Sequence, residues 1–171
     1  MALDATPGGP TANSYVTRAE AVAYMATRLY TAAWLALSTD DQDKSLMMAT
    51  RLIDTNVCFT GVSTASTQAL RWPMQGMTSP QGYAIGTSTI PAQLKDAVSE
   101  LARLLASADY TAPSDAEVQG LTKLKAGPVE LQFKELFESR TIPSPVLAMI
   151  PATWLCPTWE DTQRVAEFKV L

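Results

Sequence analysis

Residues 44–76 read KSLMMATRLIDTNVCFTGVSTASTQALRWPMQG. Three behaviours follow one another in this stretch. Leu46, Ala49 and Ile53 recur at spacings of three and four, the period of a helix with one buried side. From Asn56 to Thr67, Gly, Ser and Thr break that period. Gln68-Ala69-Leu70-Arg71-Trp72-Pro73 then has no helical period and ends on a proline. A helix, a polar loop and an anchored Trp-Pro pair are the elements that the rest of the chain is arranged around.

Upstream, Thr17 followed by Glu20 has the spacing of a capping box and opens a helix over 17–30, with Val22, Met25 and Leu29 as its buried stripe. Tyr30 to Ser38 reads as a connector or short helix whose Trp34 covers the core. Thr39 starts a second helix, over 40–55, with Gln42 at the capping-box position. Asp40 and Asp41, with Asp43 after them, read as compensation of the helix dipole rather than as a metal cluster. Residues 1–13 are small, polar and rich in Pro and Gly, which predicts an extended or mobile arm.

Downstream, the irregular segment continues to Thr89. A loop longer than about 15 residues in a compact domain is either functional or pinned. Phe59, Leu70, Trp72 and Pro73 are the expected anchors, and Gly76 to Thr89, with Tyr83 and Ile85 to bury, reads as exposed. Ile90-Pro91 opens the clearest helix, over 91–108. Its stripe is Leu94, Ala97, Val98, Leu101, Leu104, Leu105 and Ala108, with Lys95, Glu100 and Arg103 facing outward. The period then changes to two. Val129, Leu131 and Phe133 alternate with Glu130, Gln132 and Lys134, which predicts a β-hairpin over 118–134. An isolated hairpin is marginal in water, so its apolar face must pack on the helices or pair with another chain. Ser144-Pro145 opens a short helix, and the tail, 152–171, carries Trp154, Trp159 and Phe168, which suit docking on the domain or on a partner. The expected fold class is mainly α: a small helical bundle with one β-hairpin, a long irregular loop and an extended C-terminal tail. Its expected organisation is an arm over 1–13, a domain over 14–151 and a docking tail over 152–171.

The totals narrow the function. The chain has 171 residues, 13 Lys and Arg against 17 Asp and Glu, and no His. Mild acidity argues against strong phosphate binding by the chain alone. Absence of His removes the commonest general base and zinc ligand. There is no GxSxG, no SxxK and no phosphate loop. The expectation is therefore no enzyme, with no catalytic, cofactor or metal residue. Cys58 and Cys156 lie in no ligand spacing. A disulfide would require the fold to bring them close, and disulfides are rare in the cytosol, so two thiols are expected. No run of about 18 apolar residues is present, and the first residues lack the basic start and apolar core of a signal peptide. A cytoplasmic location, or one in a particle assembled there, follows as an expectation. One strip competes with a purely structural explanation: Arg51, Arg71, Arg103 and Lys95, with Trp72 and Tyr83, could stack and hold a single strand. Trp72 in the core is the simpler alternative.

A set of short motifs carries a family resemblance. These are Ala12-Asn13-Ser14-Tyr15-Val16, Ala19-Glu20-Ala21, Tyr24 and Trp34, then Ala49-Thr50-Arg51-Leu52-Ile53-Asp54, Phe59 and Gly61. Gln68-Ala69-Leu70, Trp72-Pro73, Ile90-Pro91 and Glu100-Leu101-Ala102 follow. In this order they resemble a phage and prophage family labelled DnaT-like single-stranded-DNA-binding protein, which in turn looks like the head–tail adaptors of tailed phages. Met74 departs from the pattern, where a basic residue is expected. The adaptor likeness implies a structural virion protein in the neck. It would form a twelve-fold ring of itself below the portal protein, touch tail or neck completion proteins, pass DNA through its channel without sequence-specific contact, and need no cofactor and no membrane. On that view Val129, Leu131, Phe133, Trp154, Trp159 and Phe168 make oligomer or partner contacts. The alternative is the one the family label states, binding of single-stranded DNA.

Overall fold

The structure is a computed structural model that describes residues 2–109, the backbone of 123–126 and 129–132, and residues 142–157. The fold is mainly α with a two-stranded antiparallel hairpin. In chain order the described elements are α1 (Arg18–Ala26), α2 (Ala32–Leu35), α3 (Thr39–Asn56), β1 (Val62–Ser63), β2 (Met74–Gln75), α4 (Ala92–Leu105), β3 (Lys123–Ala126), β4 (Val129–Gln132) and α5 (Ser144–Leu147). A single 3-10 turn follows at Ala152–Trp154.

Local chemistry sets the helix starts. Thr17 caps α1, accepting from the Glu20 N–H while the Glu20 carboxylate takes the Thr17 N–H. Ser38, one residue earlier than expected, caps α3 by accepting from the Asp41 N–H at 3.2 Å. Gln42 is thereby freed from capping. It is buried, and its side chain donates to the Trp34 carbonyl at 3.4 Å. Trp34 is fully buried, with its indole N–H on Ser45 at 2.9 Å.

The helix α4 is the core element. Leu94, Ala97, Val98, Leu101 and Ala102 are buried along it, and its main partner is α3, which contributes Leu46, Ala49 and Ile53. Two expectations fail here. Glu100 faces inward, because Arg28, Arg103 and Tyr24 all bond its carboxylate and supply the charge and donors that burial removes. The stripe of α1 is Ala21 and Met25, while Val22 and Leu29 are 42 % and 72 % exposed. The helix ends at Ala26, so Leu29 never joins the helical face.

The arm, expected to be extended or mobile, has no helix or strand over 2–13 and is tied down. The Asp4 carbonyl accepts from the Asn13 and Ser14 N–H groups, and the Asp4 N–H donates to the Asn13 side chain at 2.9 Å. Ala69 N–H donates to the Gly9 carbonyl at 3.1 Å, which fixes the arm to the long loop.

The long segment after α3 is pinned at several points. Phe59 pairs with Leu155 as an isolated bridge, β1 pairs with β2, and Thr78 pairs with Ala84. Phe59 and Trp72 meet edge to face with ring centres 5.8 Å apart, and Trp72 and Trp154 lie 5.3 Å apart. Trp72 and Trp154 are each 1 % exposed, Pro73 is buried, and Leu70 packs against the core half-buried. The Trp72–Pro73 peptide is cis. Trp154, read as a partner contact, is instead in this chain's own core, with its indole N–H on the Thr78 carbonyl. Met74, where a basic residue was expected, is buried in β2 beside Gly61. Cys58 and Cys156 form a disulfide with their Cα atoms 5.5 Å apart. The neighbouring Phe59–Leu155 bridge and the Cys156 N–H to Cys58 carbonyl bond bring the two together, which the sequence spacing did not show.

The hairpin pairs Lys123 with Gln132 and Leu124 with Leu131. Its side chains, including those of Val129 and Leu131, and residues Phe133, Trp159 and Phe168, lie outside the described residues.

Candidate nucleic-acid interface

Charge is distributed very unevenly along this chain. Between Asp54 and Lys95 the sequence holds one charged residue, Arg71. That span is the pinned loop and the start of α4. It is rich in Ser and Thr, and Thr55, Thr60, Ser66, Thr67, Thr78, Thr87, Ser88 and Thr89 are exposed. The acidic groups of the described residues sit elsewhere: Asp4 in the arm, Glu20 in α1, Asp40, Asp41 and Asp43 at the start of α3, Asp54 near its end, Asp96 and Glu100 in α4, and Asp109 after it.

The cations divide in the same way. Arg18 pairs with Asp43, Lys44 with Asp40 and Asp41, Lys95 with Glu20, and Arg28 and Arg103 with Glu100. Among the described residues, Arg51 and Arg71 are the two cations with no carboxylate partner. Both are exposed. Arg51 precedes Asp54 by three residues, so it shares that side of α3. The Arg71 N–H donates to Asp54 Oδ1 at 3.0 Å, and the Arg71 guanidinium donates to the Val57 carbonyl at 3.3 Å. Arg71 is thus held at the C-terminal end of α3, and Arg51 stands on that helix one turn before Asp54.

A buried clamp holds this corner. The Tyr15 hydroxyl donates to Asp54 Oδ1 and accepts from the Trp72 N–H at 3.2 Å. Burial, then the charge of Asp54 beside it, pushes the Tyr15 hydroxyl above its ordinary pKa, so it remains a donor. The Tyr15 N–H donates to Thr50 Oγ1 at 3.2 Å, which fixes the tyrosine along α3.

The second exposed feature is a tight turn over 79–83. The Ser79 N–H donates to the Tyr83 carbonyl at 2.7 Å, and the Gly82 N–H donates to the Ser79 carbonyl at 2.8 Å. Gly82 has φ +88°, a conformation that side-chain-bearing residues rarely adopt. The turn presents Tyr83, which is 76 % exposed, the open aromatic face that a base needs for stacking.

Only some members of the strip read from sequence stay exposed and unpaired. Trp72 is in the core and cannot stack on a base. Lys95 and Arg103 are engaged by carboxylates. Arg51, Arg71 and Tyr83 remain available. The acid-free run from Thr55 to Leu94 was visible in the sequence and marks this layer. The ion pair that removes Lys95 joins distant segments, and no spacing rule reports it, whereas Arg103 pairs with Glu100 three residues before it on the same helix.

Among the described residues no helix is long and apolar enough to cross a membrane. A family model described as "Putative DnaT-like ssDNA binding protein" matches residues 1–159. No curated protein and no solved structure matches the chain. The family match overturns the head–tail adaptor reading and with it the twelve-fold ring, the portal protein, the tail and neck partners and the passive DNA channel. What matches is a family described by binding to single-stranded DNA, and nothing that matches is a connector. A match over 159 of 171 residues shows that the chain belongs to this DnaT-like family.

Proposed function

We propose that this protein binds single-stranded DNA on the loop layer that follows α3, without catalysis. Arg51 and Arg71 hold phosphates, and Tyr83 stacks on a base. The observation that carries this reading is the charge separation. In a chain of net charge −4, the acid-free run bears Arg71, with Arg51 on α3 just before it, and among the described residues these are the two cations that no carboxylate pairs with. Acids on the helical side repel a phosphate backbone and leave this layer as the surface a strand can approach. Neutral hydroxyls around the arginines can donate to phosphate oxygens without attracting the strand from a distance. Family membership supports the same ligand.

Two free arginines, the number among the described residues, make a small contribution to the salt dependence. On single strands the slope of log affinity against log salt is about −0.7 per phosphate neutralised, so two arginines contribute about −1.4. The test is fluorescence anisotropy of a labelled oligo-dT at several salt concentrations. Arg51→Ala and Arg71→Ala should each weaken binding and each flatten the slope by about 0.7. Tyr83→Ala should weaken binding by about 1–3 kcal/mol with the slope unchanged, because it removes stacking and no charge. Variants that bind as the wild type does would refute this placement.

A further inference from the structure

Gln68 makes five hydrogen bonds with one side chain, and none of the roles above uses it. Its Nε2 donates to the carbonyls of Leu70 at 2.7 Å, Arg71 at 2.9 Å and Pro73 at 3.1 Å. Its Oε1 accepts from Thr64 Oγ1 at 2.9 Å and from the Ala65 N–H at 3.0 Å. An amide nitrogen has two hydrogens, so one of the three carbonyls shares. The orientation of the amide is unambiguous, because three carbonyls can face only its nitrogen. The side chain thus closes the turn over 64–73 from the inside.

The residue at the centre of that closure is Arg71. Its carbonyl accepts from Gln68 and from Ser63 Oγ at 3.0 Å, and its N–H is held by Asp54. Both backbone groups of Arg71 are therefore fixed, while its side chain is exposed and free of carboxylates. A cation on a backbone clamped from both sides is preorganised, and binding by it orders little that was loose before.

We propose that Gln68 is the positioning residue for Arg71, setting where its guanidinium meets the DNA phosphate. This rests on the proposed single-strand binding and deepens it. Gln68 itself touches no DNA and acts through the arginine.

A double-mutant cycle tests this with labelled oligo-dT on the full chain. Losing one charge-assisted contact corresponds to roughly a tenfold loss of affinity. Gln68→Ala and the similarly sized apolar Gln68→Met should each approach the loss seen in Arg71→Ala, and each should flatten the salt slope by up to about 0.7. In the Arg71→Ala background, Gln68→Ala should cost nothing further. A purely structural role would instead lower affinity equally in both backgrounds and leave the slope alone, and that result overturns the proposal. If the wild type binds no oligonucleotide, the functional reading fails by itself, and amide hydrogen exchange then decides the role of Gln68. The Arg71 amide exchanging at least about tenfold faster in Gln68→Ala supports the clamp. Unchanged exchange overturns it.

Discussion

Reducing the disulfide should expose how the C-terminal part of the domain is held. Cys58 and Cys156 are 98 residues apart in sequence, so their link closes a loop of about that length in the unfolded chain. The chain-entropy estimate for about 100 residues is about 4.7 kcal/mol of stabilisation. A domain of ordinary stability has about 5–15 kcal/mol in total, so reduction removes a large part of it. The folded state keeps other ties at this point. The Thr60 N–H donates to the Trp154 carbonyl at 2.9 Å, the Cys156 N–H donates to the Cys58 carbonyl at 3.0 Å, and Trp154 stays packed on Trp72. The reduced protein should therefore remain folded in buffer and lose resistance to denaturant. With a urea slope of about 2 kcal/mol per molar, the midpoint should fall by about 2 M. The assay is urea unfolding followed by tryptophan fluorescence, oxidised against reduced and alkylated, with Cys58→Ser/Cys156→Ser as the genetic equivalent. Coincident midpoints, or two free thiols by mass spectrometry in protein purified without reductant, would refute the reasoning.

Two further predictions concern buried polar groups. Tyr15→Phe removes the acceptor of the buried Trp72 N–H and a donor to Asp54, and should cost about 2 kcal/mol in urea unfolding. Glu100 is a buried acid-sensitive group. Burial opposes its charge, but the hydrogen bonds from Arg103, Arg28 and Tyr24 outweigh that and bring its carboxyl down to about 2. A lowered folded pKa means stability that is present above the ordinary value of 4.5 and lost as pH falls from there toward 2. Midpoints measured across that window should drop in the wild type. Glu100→Gln should be less stable at pH 7 and show a flatter acid limb, and equal limbs would contradict the assignment.

The parts legible in the sequence are those governed by local rules. Thr17 and Glu20 cap a helix because their spacing is three. The α4 stripe is buried from Leu94 to Leu101 because its period is helical, while Leu104 and Leu105 are half-buried and Ala108 lies exposed beyond the helix end at Leu105; β3 and β4 pair where the period turns to two. What escaped was set by contacts distant in sequence. Asn13 tethers the arm through Asp4, Glu100 is buried because Arg28 arrives from the segment just after α1, and Trp154 is in the core because Phe59 pairs with Leu155. The candidate site divides in the same way. Tyr83 and Arg71 were legible as members of a cation-and-aromatic strip, and the Arg103–Glu100 pair has a local helical spacing, whereas the removal of Trp72 and Lys95 from the strip depended on tertiary packing. Gln68, in the motif beside Trp72-Pro73, gave no local sign of its five bonds, because its partners sit on both arms of a turn that only the fold defines.

The central claim is that a single strand lies on the acid-free loop layer. Ultraviolet cross-linking of the full chain to an oligo-dT, with the attached peptides mapped by mass spectrometry, tests it most directly. Adducts should fall within residues 57–91, with Tyr83 among them, and should diminish as salt rises. Adducts confined to α1, α2 or the acidic start of α3, or no adducts at low salt, would contradict it.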